Sequence, residues 1–221
     1  MKSRTASRVA IVPRAHRIQV AGAIYKVGSR GNGRRTLFHD AVAYELFLEL
    51  LGATVARYGW LCHTYCLMPN HFHLLVGTTE PNISEGAQWL KGRYAQWFNK
   101  RSGQTGHLFE GRFYGKLVES DAEFLELVRY MLNNPVRAGL SVDPGGWRWS
   151  SYRALVGEIR PPAFLSTSHV LGQFAGDSKR ARAELRRFIL RASVDEGATG
   201  VRPRLDPGSD PGGERRDQPK P

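Results

Sequence analysis

Cysteine is scarce in this chain: of 221 residues only Cys62 and Cys66 are thiols, which excludes a fold stapled by disulfides. If their stretch is a strand, the two lie four residues apart on one face, too distant for an S–S bond, and both are expected as buried thiols. Structural zinc beside the nearby histidines is a minor option, because four convergent ligands are not evident. Long apolar runs are also missing. No stretch reaches the roughly 18 residues of a membrane span, and the basic segment Met1 to Arg14 lacks the apolar core of a secretory signal. A cytoplasmic, nucleoid-associated protein is expected, with no membrane partner. Acidic residues are in deficit, 20 against 32 Lys and Arg, for a formal net charge of +12. Such an excess points to a polyanion, most simply nucleic acid.

What is present reads as an alternation of strands and helices. Residues 1–18 form a basic arm suited to phosphates or simply disordered. Val20 to Ser29 reads as a strand ending in the glycine-rich turn Arg30-Gly31-Asn32-Gly33. Asp40 caps a helix with apolar positions Phe47, Leu50, Leu51 and Val55, and Gly59 stops it. Trp60 to Met68 and His71 to Val76 follow as strands around the break Pro69-Asn70. A second helix is expected from Ser84 to about Gly103, and a strand from Phe113 to Val118. A third helix opens on the capping box Ser120 and Glu123 and ends at Pro135. The order strand, helix, strand, strand, helix, strand, helix predicts an α+β fold, a ferredoxin-like antiparallel sheet with packed helices. Residues 19–156 are expected to form this domain, 157–195 a small C-terminal helical extension, and 196–221 a disordered tail rich in glycine and proline.

Two constellations carry chemistry. His71 and His73 flank Phe72 in a strand, so both imidazoles project from one face and can hold one divalent ion while Phe72 turns into the core. On the third helix Glu123, Glu126, Tyr130, Asn134 and Arg137 share a narrow polar sector opposite the stripe that packs on the sheet. Tyr130 and Asn134 are neighbours one turn apart, although the proline after Asn134 disfavours helical backbone there and threatens their alignment.

Four segments together resemble the REP-associated tyrosine transposases of the single-tyrosine HUH superfamily. They are Tyr65-Cys66-Leu67-Met68-Pro69-Asn70-His71-Phe72-His73, Gly106-His107-Leu108-Phe109-Glu110-Gly111-Arg112-Phe113, Tyr130-Met131-Leu132-Asn133-Asn134-Pro135-Val136-Arg137-Ala138-Gly139 and Trp149-Ser150-Ser151-Tyr152. The resemblance covers about Arg17 to Val156. It implies an HUH endonuclease-type core in which His71 and His73 bind a divalent metal, Mg²⁺ or Mn²⁺, and Tyr130 is the nucleophile. Asn134 matches the position that completes the metal site, where the superfamily often has glutamine. The implied reaction is cleavage and rejoining of single-stranded or hairpin DNA, a repeat palindrome, through a 5′-phosphotyrosine link.

DNA-binding residues are expected at Arg30, Asn32, Arg112 and Arg137, at element ends or beside the histidines, and at Lys91 and Arg93 within a basic, aromatic-rich stretch. Trp97, Phe98 and Phe113 in that stretch read better as core. Between Ser166 and Ala192 short helices with a basic face from Lys179 to Arg191 suit DNA or a solvated surface. Two other classes remain open, a repeat-binding protein without catalysis and a metal-dependent phosphodiesterase that uses water. Either a monomer or a homodimer fits.

Overall fold

The computed structural model describes residues 19–174 and 176–199. The expected arm at 1–18 lies outside them, as does the expected tail of 196–221 from residue 200 onward; its first four residues are helical, not disordered, because the helix that starts at Ser178 runs on to Thr199. Four strands, β1 (Ile24–Arg30), β2 (Trp60–Met68), β3 (His71–Thr78) and β4 (Tyr114–Leu117), pair antiparallel throughout in the order β2-β3-β1-β4. That order is the ferredoxin-like arrangement the sequence predicts.

Helices α1 (Ala41–Tyr58) and α2 (Ile83–Ser102) cover one face of the sheet. They bury Phe47, Leu51, Leu90 and Tyr94 against Tyr25, Val27, Phe72, Leu74 and Val76. Each such side chain contributes about 1.5–3 kcal/mol by leaving water. Asp40 caps α1 by accepting from Ala43 N (3.0 Å), and Gly59 ends it at φ 64°, the left-handed conformation glycine reaches without strain. The Arg101 guanidinium ties the end of α2 back to Asp40 and holds that carboxyl below its ordinary pKa.

Helix α3 (Asp121–Arg137) lies on the other face. Phe124, Leu127, Val128, Met131 and Leu132 pack there with Cys66, Met68 and Leu75. Short helices α4 (Tyr152–Leu155) and α5 (Ser168–Gly172) and the longer α6 (Ser178–Thr199) follow, and Val170, Leu185 and Ile189 join this second core. The Asn133 amide donates to both Arg129 O and Ile189 O at 3.0 Å, fastening α6 to α3.

Three further readings are corrected. The third helix does not stop at Pro135. Ala138 N bonds Asn134 O at 3.0 Å and Leu140 N bonds Pro135 O at 2.9 Å, so buried neighbours hold Asn134 helical and its alignment with Tyr130 survives. Cys62 and Cys66 do not share a face, because the β2–β3 register shifts between Cys62 and Thr64, and one extra residue inverts the alternation. Cys62 enters the α1/α2 core and Cys66 the α3 core; both are free, buried thiols whose pKa burial raises. Third, the polar sector of α3 is not uniformly turned from the sheet, since Tyr130 and Asn134 are both buried.

The outer edge of β2 is covered by residues 147–151. Leu67 N bonds Trp149 O (2.9 Å), Ser151 N bonds Tyr65 O (3.0 Å) and the Trp147 indole donates to Leu67 O (2.9 Å), so the edge is not left open for another strand. Among the described residues no helix is long and apolar enough to cross a membrane.

Candidate active site

In antiparallel pairing, directly opposed residues share a face. Register therefore aligns Met68, His71 and Arg30 in one row, Cys66, His73, Gly28 and Tyr114 in the next, and Leu75, Lys26 and Lys116 in a third. These rows form the face beneath α3. The two imidazole centroids stand 4.9 Å apart, as adjacent same-face positions of one strand require.

The β2–β3 turn that carries His71 is clamped from outside. Leu37 N and Phe38 N both bond Pro69 O (2.7 and 3.0 Å), and Gly31 N bonds Asn70 O (2.9 Å). Within the turn the Asn70 side-chain oxygen lies 2.7 Å from His71 Nδ1. An oxygen acceptor there fixes the proton on Nδ1 and leaves the Nε2 lone pair free to bind.

Both ring nitrogens of His73 are buried and have no hydrogen-bond partner. Such an orphaned pair is costly unless something else uses it. Burial, with the Arg30 and Lys26 charges, lowers the His71 pKa to about 4, and burial beside His71 lowers that of His73 well below the usual imidazole range. At neutral pH both rings are thus the neutral, ligating form. Among the described residues no cluster of three or more His, Cys, Asp or Glu occurs.

Tyr130 reaches this face from α3. Its ring centroid lies 6.3 Å from that of His73 and the residue is 9 % exposed. Two cations lie over the same ring, the Arg137 guanidinium at 4.8 Å and Lys26 Nζ at 5.0 Å. Asn134 follows one turn later and is also buried. The helix is started as the capping box predicts, with Glu123 N donating to Ser120 Oγ (3.2 Å). The Glu123 carboxylate accepts from Glu119 N (2.9 Å) and pairs with Lys116.

The expected DNA contacts divide into two groups. Arg30 and Arg137 stand at the histidines and the tyrosine. Asn32, Lys91 and Arg112 line a groove of about 970 Å³ between α2 and residues 106–113, together with Gln88, His107 and Phe109. Lys91 Nζ donates to Gly111 O (3.0 Å) and lies 4.9 Å over the Phe109 ring, holding that loop on α2. The loop is stitched to the end of β1 by Glu110 N to Arg30 O (2.8 Å) and Asn32 N to Leu108 O (2.8 Å), so one end of the groove lies at the sheet end that carries His71, and from there it runs along α2 to Ser84. Arg93 does not line the groove; its guanidinium stacks 5.6 Å over Trp89. Phe98 and Phe113 are core, and Trp97 packs against it half-buried.

Sequence reasoning missed Gly28, Lys26, Asn70 and Tyr114 as members of the site. A glycine and a lysine inside an apolar strand were the available signals.

Comparisons with known proteins bear on the family and the fold. A family model described as transposase, IS200 like, matches residues 19–134, a span that includes His71, His73, Tyr130 and Asn134. The fold is similar to a structure of a REP-associated tyrosine transposase bound to a REP hairpin, with TM-score 0.58 and 15 % identity over 76 % of this chain and 93 % of that one. A transposase-like protein from Deinococcus radiodurans matches at TM-score 0.38 and 20 % identity, covering 56 % of this chain and 97 % of that one. A tRNA(His) guanylyltransferase from Saccharomyces cerevisiae matches at 0.41 and 8 %, covering 78 % and 79 %. No curated protein matches significantly by sequence.

Proposed function

The chain belongs to the IS200-like transposase family, and from that premise we propose that it cuts and rejoins single-stranded or hairpin DNA through a covalent link on Tyr130. The observation that carries this reading is the approach of the Tyr130 ring to His73 on the face where both histidines project.

Tyr130 Oη attacks the scissile phosphorus, and the bond to the 3′-oxygen breaks. That oxygen departs with the electron pair and takes up a proton, while the phenol proton passes to solvent. The products are a 5′-phosphotyrosine and a free 3′-hydroxyl. Rejoining is the reverse attack by a 3′-hydroxyl, with Tyr130 as leaving group. One phosphoester replaces another at each step, so no nucleotide cofactor is needed.

His71, His73 and the Asn134 amide would hold a divalent ion, and the orphaned nitrogens of His73 fit that role. When bound, Mn²⁺ or Mg²⁺ supplies Lewis-acid charge to the phosphate oxygens. Two imidazoles favour Mn²⁺ over the harder Mg²⁺. Arg30 and Arg137 are the cations best placed to receive the scissile phosphate. Asn32, Lys91 and Arg112 would track the strand along the groove, where an amide and two cations suit bases and phosphates. A repeat palindrome folded as a hairpin is the proposed substrate, with residues 19–156 the catalytic unit, 157–195 its extension, and the nucleoid of the cytoplasm its place of action.

The test is incubation of the wild type and Tyr130→Phe with labelled hairpins from DNA flanking the gene, with Mn²⁺, followed by a denaturing protein gel. A labelled adduct that needs both Tyr130 and metal is expected. Cleavage that survives Tyr130→Phe without an adduct would transfer the reading to a water-using phosphodiesterase, and binding without cleavage to a repeat binder.

A further inference from the structure

Lys26 is a lysine in the centre of a sheet, 1 % exposed, where a charged group is rarely buried without a task. It sits on β1 opposite Leu75 of β3 and Lys116 of β4, so its side chain rises from the face that carries His71 and His73. Its ammonium lies 5.0 Å from the centroid of the Tyr130 ring and 5.7 Å from that of Tyr114. Charged neighbours include Lys116, opposite it on β4, Glu123 on α3, which feels its charge, and Arg137, which lies over the same Tyr130 ring. Glu123, bonded to Lys116, has its pKa lowered by both lysines.

A cation over a tyrosine ring is attracted by the quadrupole of the neutral phenol. The attraction grows when the phenol loses its proton, because the negative charge spreads from the oxygen into the ring. In a water-poor site that difference is screened little. A buried cation beside the ring therefore interacts more strongly with the reacting tyrosine than with the resting one, which is the condition for lowering a barrier. Arg137 offers a similar contact, but it is exposed in the last turn of α3, where solvent and salt weaken it.

We propose that Lys26 is a positioning residue that acts through Tyr130, holding its ring toward His73 and balancing the charge that gathers on the phenolic oxygen. The proposal rests on Tyr130 being the nucleophile. In the cleavage step the Oη–P bond forms and the P–O3′ bond breaks. In rejoining, the Oη–P bond breaks and its electron pair stays on Oη, and the Lys26 charge over the ring stabilises the phenolate character that results. Lys26 transfers no proton in either step.

The experiment measures single-turnover adduct formation with a labelled hairpin and Mn²⁺ for the wild type, Lys26→Met and Lys26→Arg. Each is run on the ordinary substrate and on one whose scissile 3′-oxygen is replaced by sulfur, a better leaving group. Lys26→Met is expected to slow adduct formation about 100-fold with hairpin affinity unchanged, and Lys26→Arg to recover most of the rate. The defect should persist on the sulfur substrate, because the lysine serves the tyrosine and not the departing 3′-oxygen. A wild-type rate in Lys26→Met, or a defect erased by sulfur, overturns the proposal. Circular dichroism checks folding, and Lys26→Gln replaces the methionine variant if that one unfolds. A wild-type chain that cleaves with no adduct removes the tyrosine reading itself, so the two failures are distinct.

Discussion

Gly28 faces His73 across the β1–β3 pairing, and a methyl group at position 28 would stand 3.2 Å from His73 Nδ1 and 3.0 Å from Phe72 O. The imidazole occupies the space a side chain would take. Glycine is needed here for close approach and not for backbone conformation. Gly28→Val is expected to push the ring aside and weaken Mn²⁺ binding about tenfold or more, with a smaller loss for Gly28→Ala. Calorimetric titration with Mn²⁺ measures it, and unchanged affinity in a folded Gly28→Val would refute the cradle.

Asn70 sets the proton on His71 through its side-chain oxygen, 2.7 Å from Nδ1. Asn70→Ala should lower metal affinity about 10–100-fold while leaving thermal stability almost intact, since the residue sits in a turn. A metal titration beside a melting curve separates the two effects. Equal affinity in wild type and variant would show that the tautomer needs no such help.

Asn133 makes two hydrogen bonds from one buried amide, to Arg129 O and Ile189 O. Asn133→Leu leaves the Ile189 carbonyl unpartnered by that amide and should destabilise the fold by about 1–3 kcal/mol. Urea denaturation reads the loss, and faster proteolysis within α6 would mark its release from α3.

His63 is 3 % exposed and its Nδ1 has no partner. Its ring lies 5.0 Å from that of His169. Burial, aided by His169, lowers its pKa from 6.5 to about 4. The unfolded chain then protonates first as pH falls. Stability is whole above pH 6.5, declines through the window down to about 4, and stays reduced below it. Between about pH 7 and pH 5 this one group should remove about 2 kcal/mol. Urea midpoints at the two pH values are expected to differ less for His63→Leu than for the wild type, and an equal difference would exclude His63 as a cause.

Much of the fold was legible because local signals and burial agreed. Asp40 and Gly59 bound α1 as their capping chemistry requires, and the Pro69-Asn70 break separates two short, mostly apolar strands. The histidine pair was legible for the same reason, since a strand fixes which side chains share a face. The bulge at Cys62 and Thr64 was hidden, because an extra residue in a uniformly apolar run leaves no mark on its pattern. Helix propensity around Pro135 also misled. The residue before a proline resists helical backbone when it is free to choose, and buried contacts in α3 remove that choice.

The sequence by itself determined the strand and helix order, the basic character of the chain, and the presence of two histidines on one strand face and a tyrosine and amide one helical turn apart. Only the tertiary structure decided that these meet. Strand register, set by pairing among residues distant along the chain, brought Lys26 and Gly28 beside His73, and the packing of α3 on the second face of the sheet turned Tyr130 toward them. Local chemistry specifies elements, whereas the direction a side chain faces across an interface depends on which surfaces bury each other best, and that is a property of the whole chain.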